Sequence, residues 1–214
     1  MKVYFILLLV FLFGCHSSEL VPNNASFEKQ KKDVFQIIQE KPDWLFPIDT
    51  CPEQIIPPLE QEINYLSEGC KDDPLACLEK CKSADGNACY ALALHLQELK
   101  GLEQNESEAL FQRSCKLGII SGCTNRAAFK MNAEPENPEV LKCSADTFEK
   151  TCERNDPWGC TMYALTLSQG IGRQKSLDMA LTVLDKSCKY GEEDPACQEG
   201  NKIKEQIKIA KSQK

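Results

Sequence analysis

The sequence predicts an all-α protein, an α-solenoid of stacked, disulfide-stapled αα-hairpins. Three observations predict it. A stretch at 73–93 recurs at 107–127, at 144–164 and again from Ala180. Each copy places one cysteine at the end of an apolar-periodic run and a second eight or nine residues later: Cys81/Cys89, Cys115/Cys123, Cys152/Cys160 and Cys188/Cys197. The first cysteines stand 34, 37 and 36 residues apart. A period in the mid-thirties with two helical runs per period is the mark of a helical-hairpin repeat.

Composition agrees with that class. A chain of 214 residues ordinarily suggests one or two domains, but stacked repeats form one elongated body. A net charge of −7 argues against a nucleic-acid partner, which calls for a basic face. With 11 glycines and 11 prolines the chain is not low-complexity, and its 13 cysteines are dense for this length.

Residues 1–15 read MKVYFILLLVFLFGC. Lys2 is a minimal positive start, and Val3–Phe13 is an apolar run too short to span a bilayer but right for a secretory signal. Leu12-Phe13-Gly14-Cys15 then resembles the lipobox of bacterial lipoprotein signal peptides, with Phe13 bulkier than that pattern's usual middle residue. The resemblance implies a signal peptide over 1–14, cleavage after Gly14, and lipid attachment at Cys15. Several acyl chains anchor firmly where one binds reversibly. The alternative is an ordinary signal peptide with Cys15 kept as a disulfide partner. His16 is not the Asp that retains lipoproteins at the inner membrane in some bacteria, so outer-membrane placement is the expectation, on either face.

A Ser/Asn-containing stretch, 15–27, reads as a flexible tether. Residues 28–69 follow as N-terminal capping helices joined by a Pro-rich connector. Glu28–Lys41 carries Val34, Phe35, Ile37 and Ile38 at helical spacing and ends at Pro42. Trp44, Leu45 and Phe46 then cover the open end of the first repeat, because a solenoid must cap its terminal apolar face; a binding patch is the sharper alternative. Leu59–Cys70 is the next helix, with Leu59, Ile63 and Leu66 on one side.

The repeats occupy 70–200. Four residues before each first cysteine stands Cys77, Phe111, Phe148 or Leu184, on the same helix face as that cysteine. Four residues after the second stands Ala93, Ala127 or Ala164, small enough for close helix approach. The last copy has an extra residue between its cysteines and Asn201 at that place. Connectors are read at Lys100-Gly101, Pro135–Pro138 and Gln169–Gly172. Residues 201–214, with Ile203, Ile207 and Ala210 as a thin stripe among five lysines, form a solvent-facing capping helix.

Cysteines eight or nine residues apart, one ending a helix and one starting the next, lie within disulfide reach across a hairpin. Export makes oxidation the rule. Each short bridge contributes about 2–3 kcal/mol in the loop-entropy picture. Zinc wants C-x2-C pairs and redox work wants C-x-x-C; the sequence has neither, so no metal and no cofactor is implied. Cys70 and Cys77 read as a shortened hairpin pair, which leaves Cys51 and Cys143 for each other or free.

The units resemble Sel-like repeats, relatives of the tetratricopeptide repeat. Gly170-x-Gly172 followed by Lys175, Asp178 and Ala180 matches best, and the C-x7-C spacing is similar to a cysteine-rich, Hcp-type bacterial branch. The PENP connector, the short first unit and the extra residue before Cys197 depart from the pattern. The resemblance implies a right-handed solenoid whose concave face binds proteins or peptides, and a branch in which some members are penicillin-binding proteins or weak β-lactamases.

Two functions follow. One is a membrane-tethered scaffold offering a groove to an envelope protein or peptide; a purely structural envelope protein is not separable from it by sequence. The other is a weak β-lactamase or penicillin-binding hydrolase. A serine acyl-transfer enzyme needs an activated nucleophile and a positioned base. The one Ser-x-x-Lys, Ser26–Lys29, lies in the tether and lacks its companion motifs. The paired carboxylates Asp72/Asp73 and Glu192/Glu193 read as solvated helix starts. No catalytic residue is assigned, and the scaffold is the preferred reading.

Overall fold

Three Asp-Pro pairs and one Asn-Pro pair set where helices begin. Asp73, Asp156 and Asp194 accept hydrogen bonds from the backbone N–H groups of Ala76, Gly159 and Ala196, at 3.0, 2.8 and 2.9 Å. The proline that follows each has no N–H to leave unpaired in the first turn. Asn137 accepts from Glu139 and Val140 ahead of Pro138 in the same way. Asp85 and Ser176 cap without proline.

In the computed structural model, which describes residues 24–45, 49–61, 69–97 and 105–213, these starts belong to an all-helical chain with no strand among those residues. The helices are α1 (Asn24–Gln39), α2 (Gly69–Asp72), α3 (Pro74–Lys82), α4 (Gly86–Gln97), α5 (Asn105–Lys116), α6 (Ile120–Ala133), α7 (Pro138–Glu153), α8 (Pro157–Gln169), α9 (Leu177–Leu184) and α10 (Pro195–Ser212). Two 3-10 turns add Pro52–Ile55 and Asp185–Cys188. From α3 to α9 each helix packs on the next, and α10 packs back on α8 and α9. The result is a stack of αα-hairpins: α3–α4, α5–α6, α7–α8 and α9–α10.

Every hairpin turns the same way. Three residues after its first cysteine the backbone goes left-handed, at Ala84 (φ 70°), Gly118 (97°), Asn155 (57°) and Gly191 (98°). The N–H of that residue bonds the cysteine's own carbonyl each time. In the first three hairpins the next N–H reaches five residues back, Asp85 to Lys80, Ile119 to Ser114 and Asp156 to Thr151, which satisfies the carbonyls a helix end leaves open. The tight turn brings the cysteines together. Bridges Cys81–Cys89, Cys115–Cys123, Cys152–Cys160 and Cys188–Cys197 hold Cα atoms 4.6, 4.6, 4.3 and 4.4 Å apart. Cys70–Cys77 joins α2 to α3, and Cys51–Cys143 joins the connector to α7.

Behind the turns the helices close on small residues. A Cβ on Gly122 would lie 2.0 Å from Ser114 Oγ, and one on Gly159 would lie 2.3 Å from Thr151 Oγ1. Cys77, Phe111, Phe148 and Leu184 are buried, as are Ala93, Ala127 and Ala164. The last copy solves the same problem one residue earlier. Asn201 is exposed, and Gly200 makes the close approach, its would-be Cβ 3.1 Å from Ser187 Cβ. The extra residue between Cys188 and Cys197 removes the five-back bond and shifts the register of α10.

The N-terminal segment departs most from the sequence expectation. Helix α1 begins at Asn24, inside the stretch read as tether, and lays Val34, Phe35 and Ile38 against α3 and α5. Trp44 and Leu45 pack on the first core cluster, with Arg113 5.0 Å over the Trp44 ring; Phe46 lies outside the described residues. The segment thus reaches beyond the end of the first hairpin. Residues 59–61, expected to open a helix, are not helical: Gln61 N–H bonds Gly118 O instead, and Leu59 is 82% exposed. The last two residues of that expected helix, Gly69 and Cys70, are helical as the start of α2; 62–68 fall outside the described residues, as do the Lys100-Gly101 connector and everything before Asn24, Cys15 included. At the other end, the helix read from Asn201 is the continuation of α10; Ile203 and Ile207 are buried and Ala210 is exposed.

Candidate peptide-binding face

Helices α5 and α7 are the first helices of neighbouring hairpins, and the shallow groove between them is floored by α6. Residues 49–61 lie in this groove as a strap: one 3-10 turn, Pro52–Ile55, between extended residues Cys51 and Ile56. Four prolines in sixteen residues (42–57) plus Pro58 remove backbone donors, so this stretch cannot build a helix or sheet of its own and satisfies its polar groups on others.

The groove reads mostly backbone. Gln112 Nε2 donates to Thr50 O at 2.9 Å, and Arg154 donates to Pro57 O and Pro58 O, each at 3.3 Å. Thr147 Oγ1 accepts from Glu53 N–H at 3.1 Å while donating to Cys143 O at 2.8 Å. Two strap carboxylates are met by cations of α7 and its turn: Glu53 by Lys150, and Glu60 by Arg154 at 2.8 Å. Gly118 lets the strap pass over the α5–α6 turn, where an added Cβ would stand 3.1 Å from Leu59 O.

Two clefts border the strap. One of about 620 Å³ runs beside Cys51 and Cys143, with Lys130, Glu134 and Glu139 on its walls. The other, about 690 Å³, opens where the strap ends, between the α7–α8 and α9–α10 turns. Arg154, Lys189 and Tyr190 line it beside Glu60 and Asp194. Lys189 Nζ lies 5.0 Å from the Tyr190 ring centre, and that ring is 53% exposed. An amphipathic aromatic beside cations suits polypeptide contact.

Buried charge underpins this face. Asp156 is buried in the wall of the larger cleft; Ser121 Oγ donates to it at 2.6 Å, Thr124 Oγ1 at 2.7 Å and Gly159 N–H at 2.8 Å. Burial lifts its carboxyl above the usual range despite these three donors. Arg126 and Glu108 form a buried ion pair between α6 and α5. Burial raises the carboxyl and lowers the guanidinium, each against the pull of the other.

Of the twelve cysteines read as bridge partners, all lie in bridges that staple hairpins, join α2 to α3, or fasten the strap. Lipidation at Cys15 concerns a residue outside the described ones. Ser26 falls in the first turn of α1 with its side chain undescribed, and Asp72, Asp73, Glu192 and Glu193 are exposed. Among the described residues no cluster of His, Cys, Asp and Glu is placed to hold a metal, and no helix is long and apolar enough to cross a membrane. Sequence reading missed Gln112, Thr147, Lys150 and Arg154. Cys143, Thr147, Lys150 and Arg154 recur at helical spacing, but that stripe is legible only once its neighbour is known.

No family model matches the chain, and no curated protein matches its sequence. One solved structure, a Sel1 repeat protein from Oxalobacter formigenes, is similar with a TM-score of 0.48 and 18% identity, over 64% of this chain and 97% of that one. At that level of likeness, the fold described here stands on the chain's own helices and bridges.

Proposed function

We propose that this chain is a membrane-anchored bacterial lipoprotein of the cysteine-rich Sel-like repeat type, acting as a protein- or peptide-binding scaffold in the cell envelope. One observation carries the binding reading: the face formed by α5 and α7 already holds a length of polypeptide through backbone contacts from Gln112, Thr147 and Arg154. A surface that accepts main chain and selects by a few charges is the chemistry of peptide recognition. Six bridges fit an oxidising, exported location. The lipobox-like Leu12–Cys15 supports the anchor, with outer-membrane placement as the default.

The test is an array of envelope-protein peptides probed with the oxidised full-length protein. Discrete retained peptides support the scaffold; an array with none retained sinks it. A chromogenic β-lactam in the same preparation tests the hydrolase alternative, and turnover or a covalent adduct would replace the scaffold reading. Fatty-acid labelling that vanishes in Cys15→Ala tests the anchor.

A further inference from the structure

The strap is fastened by the bridge that differs most from the others. Cys51–Cys143 spans 92 residues, where the rest span 7 to 9. Both its cysteines are partly buried and border the 620 Å³ cleft; of the other ten, all but Cys188 are buried. It staples no hairpin, so opening it leaves every αα turn intact. What it does is hold residues 49–61 in a groove whose remaining grip is main-chain hydrogen bonding, the packing of buried Pro52, and the two ion pairs, Glu53 with Lys150 and Glu60 with Arg154.

We infer that the α5–α7 groove is a receptor for a proline-containing polypeptide segment with two carboxylates at the strap's spacing, and that 49–61 is its in-cis occupant, latched by Cys51–Cys143. This rests on the peptide-binding reading above and names the site and ligand class for it. A dithiol opens the latch. One of its thiolates attacks a sulfur of the bridge and forms a mixed disulfide, releasing the other cysteine as a thiolate that takes up a proton. The second thiol of the reductant then displaces the bound cysteine. The bridge gains two electrons and two protons, and the dithiol leaves as its disulfide. Without the latch, the strap's effective concentration at the groove falls, and a segment of the same chemistry in trans competes for the same donors.

The experiment measures fluorescence anisotropy of a labelled synthetic 49–61 peptide carrying C51S, titrated with full-length protein. The Cys51→Ser/Cys143→Ser protein is expected to bind it at least tenfold tighter than the oxidised wild type. Adding K150E and R154E to that variant removes binding, and a peptide carrying E53K and E60K restores it, an exchange that loss of fold cannot produce. Equal binding to latched and unlatched protein, or no binding to the unlatched form, overturns the inference. A second measurement uses the wild type alone: alkylation mapped by mass along a dithiol titration. Cys51 and Cys143 label at lower dithiol than the buried cysteines; simultaneous labelling of all twelve overturns the latch. If array peptides bind but the strap peptide does not displace them, this groove is the wrong site and the scaffold reading survives.

Discussion

Ser121 donates its hydroxyl to Asp156 at 2.6 Å, tying the start of α6 to the cap of α8 one hairpin away. Thr124 adds a second such tie at 2.7 Å. A single carboxylate therefore caps a helix and sets the spacing between repeats. Asp156→Ala leaves two buried hydroxyls and a helix N-terminus unpaired, and is expected to cost about 2–4 kcal/mol in urea unfolding.

The same carboxyl fixes a pH dependence. Its folded-state pKa is raised by burial above the ordinary 3.8, so the folded state holds its proton more tightly than the unfolded chain. Its contribution is fully present below the ordinary value and is lost as pH rises through the folded one. The stability difference between wild type and Asp156→Asn should shrink across that window and be flat above it. A difference that grows with pH would contradict the sign.

Arg126 and Glu108 are each held by the other in a site that penalises both charges. Glu108→Ala strands a buried guanidinium and should cost about 3–5 kcal/mol. Replacing both, as Glu108→Leu with Arg126→Met, should cost far less than the sum of the single changes. Denaturant midpoints for the four proteins give the coupling directly.

Gly122 tests the close approach within a hairpin. Gly122→Ala meets Ser114 Oγ, and also Cys115 N and Phe111 O at 3.0 Å. The expected loss is about 1–3 kcal/mol. Adding Ser114→Ala should recover only part of it, because the backbone atoms stay in place.

Ala84 occupies the left-handed turn position that Gly118 and Gly191 fill in two other hairpins. A Cβ is strained there, and Ala84→Gly should stabilise the protein by about 0.5–1 kcal/mol, read as a higher melting temperature. The bridge Cys81–Cys89 should form faster on refolding of this variant.

Much of the stack was legible because its determinants are local. Asp-Pro starts, the cysteine pair and the apolar residue four places earlier all act within one or two turns of chain. The packing of the last copy stayed open in the sequence because a count from Cys197 assumes a constant turn, and the longer turn moved the small residue to Gly200. The candidate face was not legible for a different reason. Leu59 has the spacing of a helix face, but Pro57 and Pro58 just before it weigh against a helix, and Gly118 O, far along the chain, receives Gln61 N–H. The prolines were legible; the distant acceptor was not. Thr147 and Arg154, likewise, read as ordinary helix and turn residues until the strap is laid against them.

The bridges also set a problem of order. With Cys51 and Cys143 set aside, each remaining described cysteine pairs with its next neighbour in sequence, from Cys70–Cys77 to Cys188–Cys197. Short loops close fastest, so nearest-neighbour oxidation is the quick route. Cys51 breaks the count: if it takes Cys70, then Cys77 is left to Cys81, Cys89 to Cys115 and Cys123 to Cys143, so the bridges of the first two hairpins and Cys70–Cys77 fall out of frame while Cys152–Cys160 and Cys188–Cys197 keep it. Reaching the native set requires Cys51 to stay reduced until α7 exists, or a thiol–disulfide isomerase to reset the frame. One odd cysteine at the front makes correct oxidation of the chain a matter of timing, which a plain row of hairpins would never require.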